Sequence, residues 1–168
     1  MLQNLIAGQV AFFGIYSLMS GPNQMKLKRY LTVTPSSGFQ SLATFHFCHT
    51  SVAPLALNVI ALASLGVYTC QKSGLGTFIK IFGMGCAAAS LAVAMDARSN
   101  PNQTQAGSLG ASSAFLSYHA FKNPQYFGLV RYTPTTLVAL ALAYSLYYDD
   151  KAVTGGLAAG YAAFLMAL

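Results

Sequence analysis

Residues 42–68 read LATFHFCHTSVAPLALNVIALASLGVY, a stretch that contains no Asp, Glu, Lys or Arg. A helix needs roughly 20 mostly apolar residues to cross the hydrocarbon core of a bilayer, and this stretch is long enough to do so. Its proline, Pro54, interrupts the apolar run. The stretch therefore indicates an integral membrane protein, and the composition of the whole chain agrees with it.

The chain has 168 residues, of which 55% are hydrophobic and 7% are charged. A soluble domain carries about 25% charged residues, so an ordinary solvated surface is excluded. The net charge is +6, but the cations are scattered, which argues against nucleic acid as a partner. Cys48, Cys70 and Cys86 lie in apolar surroundings without CxxC spacing, so neither a disulfide framework nor a metal site is predicted, and no cofactor is implied.

Five further segments have the composition of membrane helices, although the fourth is short. The predicted fold is an all-α membrane bundle of six transmembrane helices in one domain, 1–168, with a short central fourth helix. The six helices are expected at about 4–20, 42–68, 77–95, 108–121, 135–148 and 152–168. Little chain remains for a domain outside the membrane, so we expect the function to lie in or at the bilayer.

Several of these segments carry polar or small residues at membrane depth, where polar groups are expensive. The second has His49 and Asn58, the fourth has Ser112, and the sixth has Gly156 and Gly160. The two glycines form a GxxxG pattern, which lets helix backbones approach closely. Taken singly, most such residues are better explained by helix packing than by chemistry.

The order of these residues along the chain carries more information than any one of them. The chain contains RYLT at 29–32, a histidine at 49 followed by Asn58, SLGASSA at 108–114, and GGLAAG at 155–160. In this order the elements resemble those of the rhomboid family of intramembrane serine proteases, and in detail its mitochondrial presenilin-associated rhomboid-like branch. The resemblance covers nearly the whole chain and implies the rhomboid six-helix bundle.

The resemblance also implies roles for individual positions. Ser112 occupies the position of the nucleophile, and Asn58 that of an amide that helps to hold the oxyanion. Pro54 replaces a histidine that is a further oxyanion donor, and Val153 replaces the catalytic histidine. Ser113 replaces the glycine after the nucleophile. Two of the four polar roles are thus lost, including the base.

The missing base decides the functional interpretation, since a serine hydroxyl is a weak nucleophile without a neighbouring base. His119 lies seven residues after Ser112, about 10 Å along one helix at about 1.5 Å per residue, which is beyond hydrogen-bond reach. His46 and His49 reach Ser112 only if the helix packing differs from that of the family. We therefore expect no catalytic residues: Ser112 and Asn58 are vestigial, and the chain is a pseudoprotease.

The residues that remain at the motif positions then need a structural interpretation. Ser112 and Gly110 allow the fourth helix to approach the sixth closely, where Gly155, Gly156 and Gly160 form the matching smooth face. Asn58 is expected to hydrogen-bond a loop or a backbone carbonyl. His49 is expected to be a hydrogen-bonded interfacial residue rather than a ligand.

Three functions remain open at this point. The first is a non-proteolytic rhomboid-like scaffold subunit of a mitochondrial inner-membrane complex, such as a respiratory complex, the ATP synthase or a protein translocase. Its partners are other membrane subunits and lipids. The second is an active intramembrane serine protease with a displaced base. The third is a conduit for protein or solute.

Overall fold

A computed structural model describes residues 2–31, 33, 39–49, 51–99, 109–122 and 133–166. Every element in these residues is helical: α1 Leu2–Leu18, α2 Gly21–Leu31, α3 Phe39–Thr44, a 3-10 turn Phe45–Phe47, α4 Val52–Ala61, a π-helical turn Leu62–Gly66, α5 Val67–Ser99, α6 Gly110–Lys122, α7 Thr133–Tyr148 and α8 Lys151–Leu165. The all-α class is thereby confirmed for the described residues. The count of six membrane-spanning helices stays a prediction.

The segment predicted as one helix at 42–68 is divided. Helix α3 ends at Thr44, the 3-10 turn follows, and α4 begins only at Val52, after the extended residue Ser51. Pro54 does not interrupt α4, because it lies in the first turn, where a backbone N–H has no intrahelical acceptor and its loss costs nothing. The irregularity therefore comes before the proline.

The chain reverses at Gly74, inside the continuous run Val67–Ser99. Gly74 has φ +85°, a conformation that glycine adopts without the steric cost of a side chain. A carbon atom added at Gly66 would lie 3.1 Å from the ring of Phe78, although twelve residues of straight helix would separate these positions by about 18 Å. The two arms therefore pack against each other as a helical hairpin. The sequence predicted one helix to end at 68 and the next to begin at 77; in the structure the reversal is at Gly74, and helix extends on both sides of it.

Length and composition mark one helical run of the described residues, Val52–Ser99, as a candidate membrane span. The run is 48 residues long and includes the reversal at Gly74. Each of its arms exceeds the roughly 20 residues that a crossing needs. Helices α1 and α7 are apolar but shorter.

Helix α6 lies at the centre of the bundle. Nine of its 13 residues are buried, and it contacts both arms of the hairpin as well as α7 and α8. Its length of about 20 Å, at about 1.5 Å per residue, is less than the thickness of a hydrocarbon core. Leu62, Phe78, Phe115 and Tyr118 form the core around it. The first turn of this buried helix carries Ser112.

The remaining helix bounds differ modestly from those expected from the sequence. Helix α1 lies two residues earlier than 4–20, α6 begins at Gly110 rather than 108, and α8 ends at Leu165. Helix α2 lies in the polar stretch 21–41, for which no helix was predicted, and α3 begins in that stretch and ends inside the predicted second helix. Ser108, Thr32 and the side chains of Arg29 and Tyr30 lie outside the described residues, as do 167–168.

Candidate functional site: a buried serine on a short central helix

Ser112 is buried in the first turn of α6 and faces Asn58 on α4. The Ser112 hydroxyl donates a hydrogen bond to Oδ1 of Asn58, a residue 54 positions away in the chain. Both side chains are at least nine-tenths buried, with 5% and 2% of their surface exposed. The structure therefore brings together two positions that the sequence analysis singled out.

The amide of Asn58 has partners on both of its ends. Its Nδ2 donates to Oε1 of Gln9 on α1 at 2.9 Å and lies 3.5 Å from Nε2 of His49. Gln9 is itself buried. Because an amide nitrogen has two hydrogens, Gln9 and His49 account for both, and the carbonyl end is left to accept from Ser112. The sequence predicted a loop or a backbone carbonyl as the partner of Asn58. His49, in the irregular segment before α4, is such a loop partner, whereas Gln9 and Ser112 are side chains of two other helices and were not expected as partners.

Val153 stands at the position to which the resemblance assigns the catalytic histidine. It is buried in the first turn of α8, and together with Ser112 it lines a cavity of about 300 Å³. The walls of this cavity are almost entirely aliphatic or aromatic: Leu57, Ala61, Leu65, Leu109, Leu116, Leu140, Ala141 and Tyr144, with Ser112, Ser113 and Val153. An isopropyl group offers no lone pair to the neighbouring hydroxyl.

All three histidines of the chain lie in the described residues, and each is engaged away from the Ser112 hydroxyl. Nε2 of His46 is 2.8 Å from Oγ of Ser90, and Nε2 of His119 is 2.7 Å from Oγ1 of Thr69. His49 meets the amide of Asn58 rather than the serine. The hydrogen bond that Ser112 makes in this part of the chain goes to an amide oxygen.

Helix α8 packs on α6 so closely that only glycine fits at the contacts. A carbon atom added at Gly156 would lie 1.9 Å from the carbonyl oxygen of Gly110, and one added at Gly160 would lie 2.1 Å from that of Ala114. One added at Gly155 would lie 2.6 Å from the carbonyl of Ala88, on α5. The three glycines thus face two different neighbours: Gly156 and Gly160 face α6, and Gly155 faces α5.

Ser113 joins the two helices at this contact. Its hydroxyl lies 2.9 Å from the carbonyl oxygen of Gly110 and 3.1 Å from that of Val153. The hydroxyl group thus ties the first turn of α6 to the backbone of α8 at the position next to Ser112.

Asp150 begins α8 and orients the turn that carries Val153. Its carboxyl oxygen accepts from the backbone N–H groups of Ala152 at 3.1 Å and Val153 at 3.4 Å, as an N-cap does. Burial raises the pKa of this carboxyl above its ordinary value, and the two backbone hydrogen bonds oppose the shift.

The sequence analysis did not identify three residues that make contacts in this region: Gln9, Gly85 and Thr69. Gln9 could have been suspected, since an amide within the apolar helix α1 is expensive in a membrane unless it has a partner. A carbon atom added at Gly85 would lie 2.8 Å from Cβ of Ala114. Thr69 shows no distinguishing signal, because threonine is common in membrane helices.

Within the described segments, no three His, Cys, Asp or Glu side chains converge as a metal site requires. The thiols of Cys48, Cys70 and Cys86 are free, and none of the three lies on α6, which carries Ser112. Cys70 and Cys86 both lie on α5, on either side of the reversal at Gly74. The absence of a cofactor stays a prediction.

The described residues form a bundle of helices in which a short central helix carries a buried serine. The family model described as the Rhomboid domain matches residues 36–167. The match covers most of the chain, so the protein belongs to the rhomboid family and is a membrane protein. No curated protein matches the chain significantly.

Proposed function

We propose that this chain is a non-proteolytic member of the rhomboid family that serves as a structural or scaffold subunit of a multi-subunit complex in the mitochondrial inner membrane. A respiratory complex, the ATP synthase and a protein translocase are the three assemblies considered. The observation that carries the proposal is the direction of one hydrogen bond: the Ser112 hydroxyl gives its hydrogen to the amide oxygen of Asn58.

An amide oxygen is too weak a base to take the proton of a serine during attack. Nucleophilic serines are activated by a neighbouring group with a usable lone pair, most often a histidine. In a serine protease studied by mutation, removal of the histidine alone lowers turnover by roughly 10⁶-fold. The aliphatic side chain of Val153 beside Ser112 supports the same conclusion.

The stabilisation of an oxyanion is weakened as well. The resemblance assigns this task to the Asn58 amide and to a histidine at position 54, which here is proline. The Asn58 N–H groups already point to Gln9 and His49, so an oxyanion would have to displace a buried hydrogen bond. Donors help catalysis when they are free and aimed at the developing charge. These donors instead hold α1 and α4 together.

The outer surface of the bundle supports a role as an embedded subunit. Large apolar side chains are exposed on α4 and α7, among them Ile60 at 63% and Leu146 at 80%. In a membrane, such surface contacts lipid or the helices of other subunits. The resemblance to the mitochondrial branch of the family supports the mitochondrial inner membrane as the location, and the short loops of the predicted bundle support a role as a subunit held by its neighbours.

Purification of the protein from its native membranes tests the scaffold proposal. We expect a tagged chain to co-purify in stoichiometric amounts with a fixed set of membrane subunits, identified by mass spectrometry. The matched control is Ser112→Ala, after its folding has been checked: a scaffold keeps the same subunits in the same ratio. Recovery of the chain alone, in a gentle detergent and in lipid nanodiscs alike, would contradict the proposal.

A further inference from the structure

Helix α2 is a short basic helix that follows directly after the apolar helix α1. Its 11 residues include Lys26, Lys28 and Arg29 and contain no Asp or Glu. The first acidic residue of the chain is Asp96, so residues 1–95 offer no carboxylate to these cations. The helix therefore concentrates positive charge in a part of the sequence that carries no negative charge.

Helix α2 lies at the end of the bundle opposite to the reversal at Gly74. A carbon atom added at Gly66 would lie 3.7 Å from the side chain of Leu2, and Gln9 is hydrogen-bonded to Asn58, so α1 runs antiparallel to α4 and the π-helical turn. The end of α1 that leads into α2 therefore lies beside the start of α4. Because α1 is apolar and α2 is basic, the passage from one to the other marks a surface of the membrane.

The chain bends between α1 and α2. Nε2 of Gln24 donates to the backbone carbonyl of Tyr16 at 2.9 Å. In one continuous helix eight residues would separate these positions by about 12 Å along the axis, which is beyond the reach of a glutamine side chain. Helix α2 therefore leaves the direction of α1 at the surface where α1 ends.

The two sides of α2 differ in their surroundings. Gln24, Leu27 and Leu31 are half-buried, and their spacing of three and four residues places them on one face, towards the bundle. Met25 and Lys26 lie on the other side and are exposed, Met25 to 63%. The outer face of α2 thus presents an apolar side chain next to an ammonium group.

We propose that this outer face binds anionic phospholipids, with the Lys26 ammonium at a headgroup phosphate and the Met25 side chain among the upper parts of the acyl chains. An apolar residue beside a long cationic one suits the boundary between acyl chains and headgroups. A soluble acidic partner or free phosphate would match Lys26 but would leave Met25 in water. A phospholipid without net charge would cover Met25 but would leave the cations of α2 without a counter-charge.

The chain allows a local reporter and a matched control. It contains no tryptophan, so a single introduced tryptophan reports on its own surroundings. Met25→Trp places it on the outer face of α2, at an exposed position and with a residue that membrane surfaces favour. In this background Lys26→Gln removes a charge and Lys26→Arg keeps it. Lys72→Gln is the control, because Lys72 is exposed and lies near Gly74, at the other end of the bundle.

The experiment uses the full chain with Met25→Trp in phosphatidylcholine nanodiscs that contain brominated phosphatidylglycerol or brominated phosphatidylcholine, since bromine atoms quench tryptophan fluorescence on contact. We expect stronger quenching by the phosphatidylglycerol at equal mole fraction. Lys26→Gln should lower the association constant for phosphatidylglycerol, obtained from the dependence of quenching on mole fraction, about five-fold, as the loss of one cation at a membrane surface implies. Lys26→Arg and Lys72→Gln should leave the constant unchanged.

Equal quenching by the two lipids would overturn the proposal, since it would show contact with lipid without recognition of charge. Quenching by neither would overturn it as well and would assign the outer face to water or to a protein partner. Relief of the quenching by inorganic phosphate would assign the charge to free phosphate and contradict a lipid site. Equal loss in Lys26→Gln and Lys72→Gln would attribute the effect to the net charge of the chain rather than to α2, and would also contradict the proposal.

Discussion

At the scale of single residues, the side chain of Asn58 connects three parts of the chain. Its amide contacts Ser112 of α6, Gln9 of α1 and His49, which precedes α4. The sequence could indicate Asn58 and Ser112 through the family motifs. It could not indicate that Gln9 is the partner of Asn58, because the two residues lie 49 positions apart and no local pattern joins them.

Asn58→Leu should destabilise the protein by about 2–4 kcal/mol, because it leaves the buried groups of Gln9 and Ser112 without partners. The free energy of unfolding, or the melting temperature in a fixed detergent, measures the effect. The double variant Gln9→Leu, Asn58→Leu is the control. It should be less destabilised than the sum of the two single variants, since both partners of one hydrogen bond are then gone. Strict additivity would contradict the network.

The histidines show a further limit of sequence-based prediction at this scale. The sequence analysis excluded His119 as a base for Ser112 because of its distance along one helix. In the structure His119 is hydrogen-bonded to the Thr69 hydroxyl instead. The Thr69 hydroxyl itself donates to the carbonyl of Leu65 at 2.7 Å, so His119 is the donor to Thr69. No pattern in the sequence predicts this pair, because the two residues lie 50 positions apart.

At the scale of the elements, the glycines of α8 decide how the central helix is held. The GxxxG pattern indicated close packing of the sixth helix, but the sequence could not show which glycine faces which helix. Gly155 contacts α5, and Gly156 and Gly160 contact α6. The hairpin glycine was also ambiguous, because Gly74 and Gly76 lie two positions apart in one polar stretch. Only the backbone conformation, φ +85° at Gly74, distinguishes them.

Gly156→Ala should destabilise the bundle by about 1–3 kcal/mol, because the new methyl group collides with the backbone carbonyl of Gly110 and α6 must shift. Gly83→Ala is the matched control, since its methyl group meets nothing within 4 Å. Thermal unfolding of the two variants in the same detergent compares them. Equal melting temperatures would show that α6 and α8 do not pack as closely as described.

Asp150→Asn tests the cap of α8 through pH. Burial holds the pKa of Asp150 above its ordinary value, so the unfolded chain loses this proton at lower pH than the folded protein does. Stability contributed by the wild-type carboxyl therefore falls as pH rises from about 3 towards 7, whereas the amide of the variant does not titrate. The free energy of unfolding, measured for both chains across this range, should change in favour of the variant as pH rises. A relative gain by the wild type would contradict a raised pKa.

At the scale of the whole molecule, composition was sufficient to predict an all-helical membrane protein, because 7% charged residues cannot cover a soluble surface. The order of four short motifs was sufficient to indicate the rhomboid family. The division of 42–68 was not predicted, although residues 45–51 contain two histidines, a threonine and a serine and are more polar than the residues that follow. In the structure His46, in the 3-10 turn, contacts Ser90 of α5. In the described residues Ser112 lies on a short central helix, donates to the amide oxygen of Asn58 and lines one cavity with Val153.

Labelling by a fluorophosphonate probe tests most directly whether Ser112 is a reactive nucleophile. The wild type and Ser112→Ala, both shown to be folded, are treated with the probe in nanodiscs beside an active rhomboid protease as the positive control. The account predicts the same background labelling for both chains, because the Ser112 hydroxyl donates to an amide oxygen and, in the described part of the chain, the hydrogen bonds of the three histidines go to other residues. Labelling of the wild type that disappears in Ser112→Ala would contradict it.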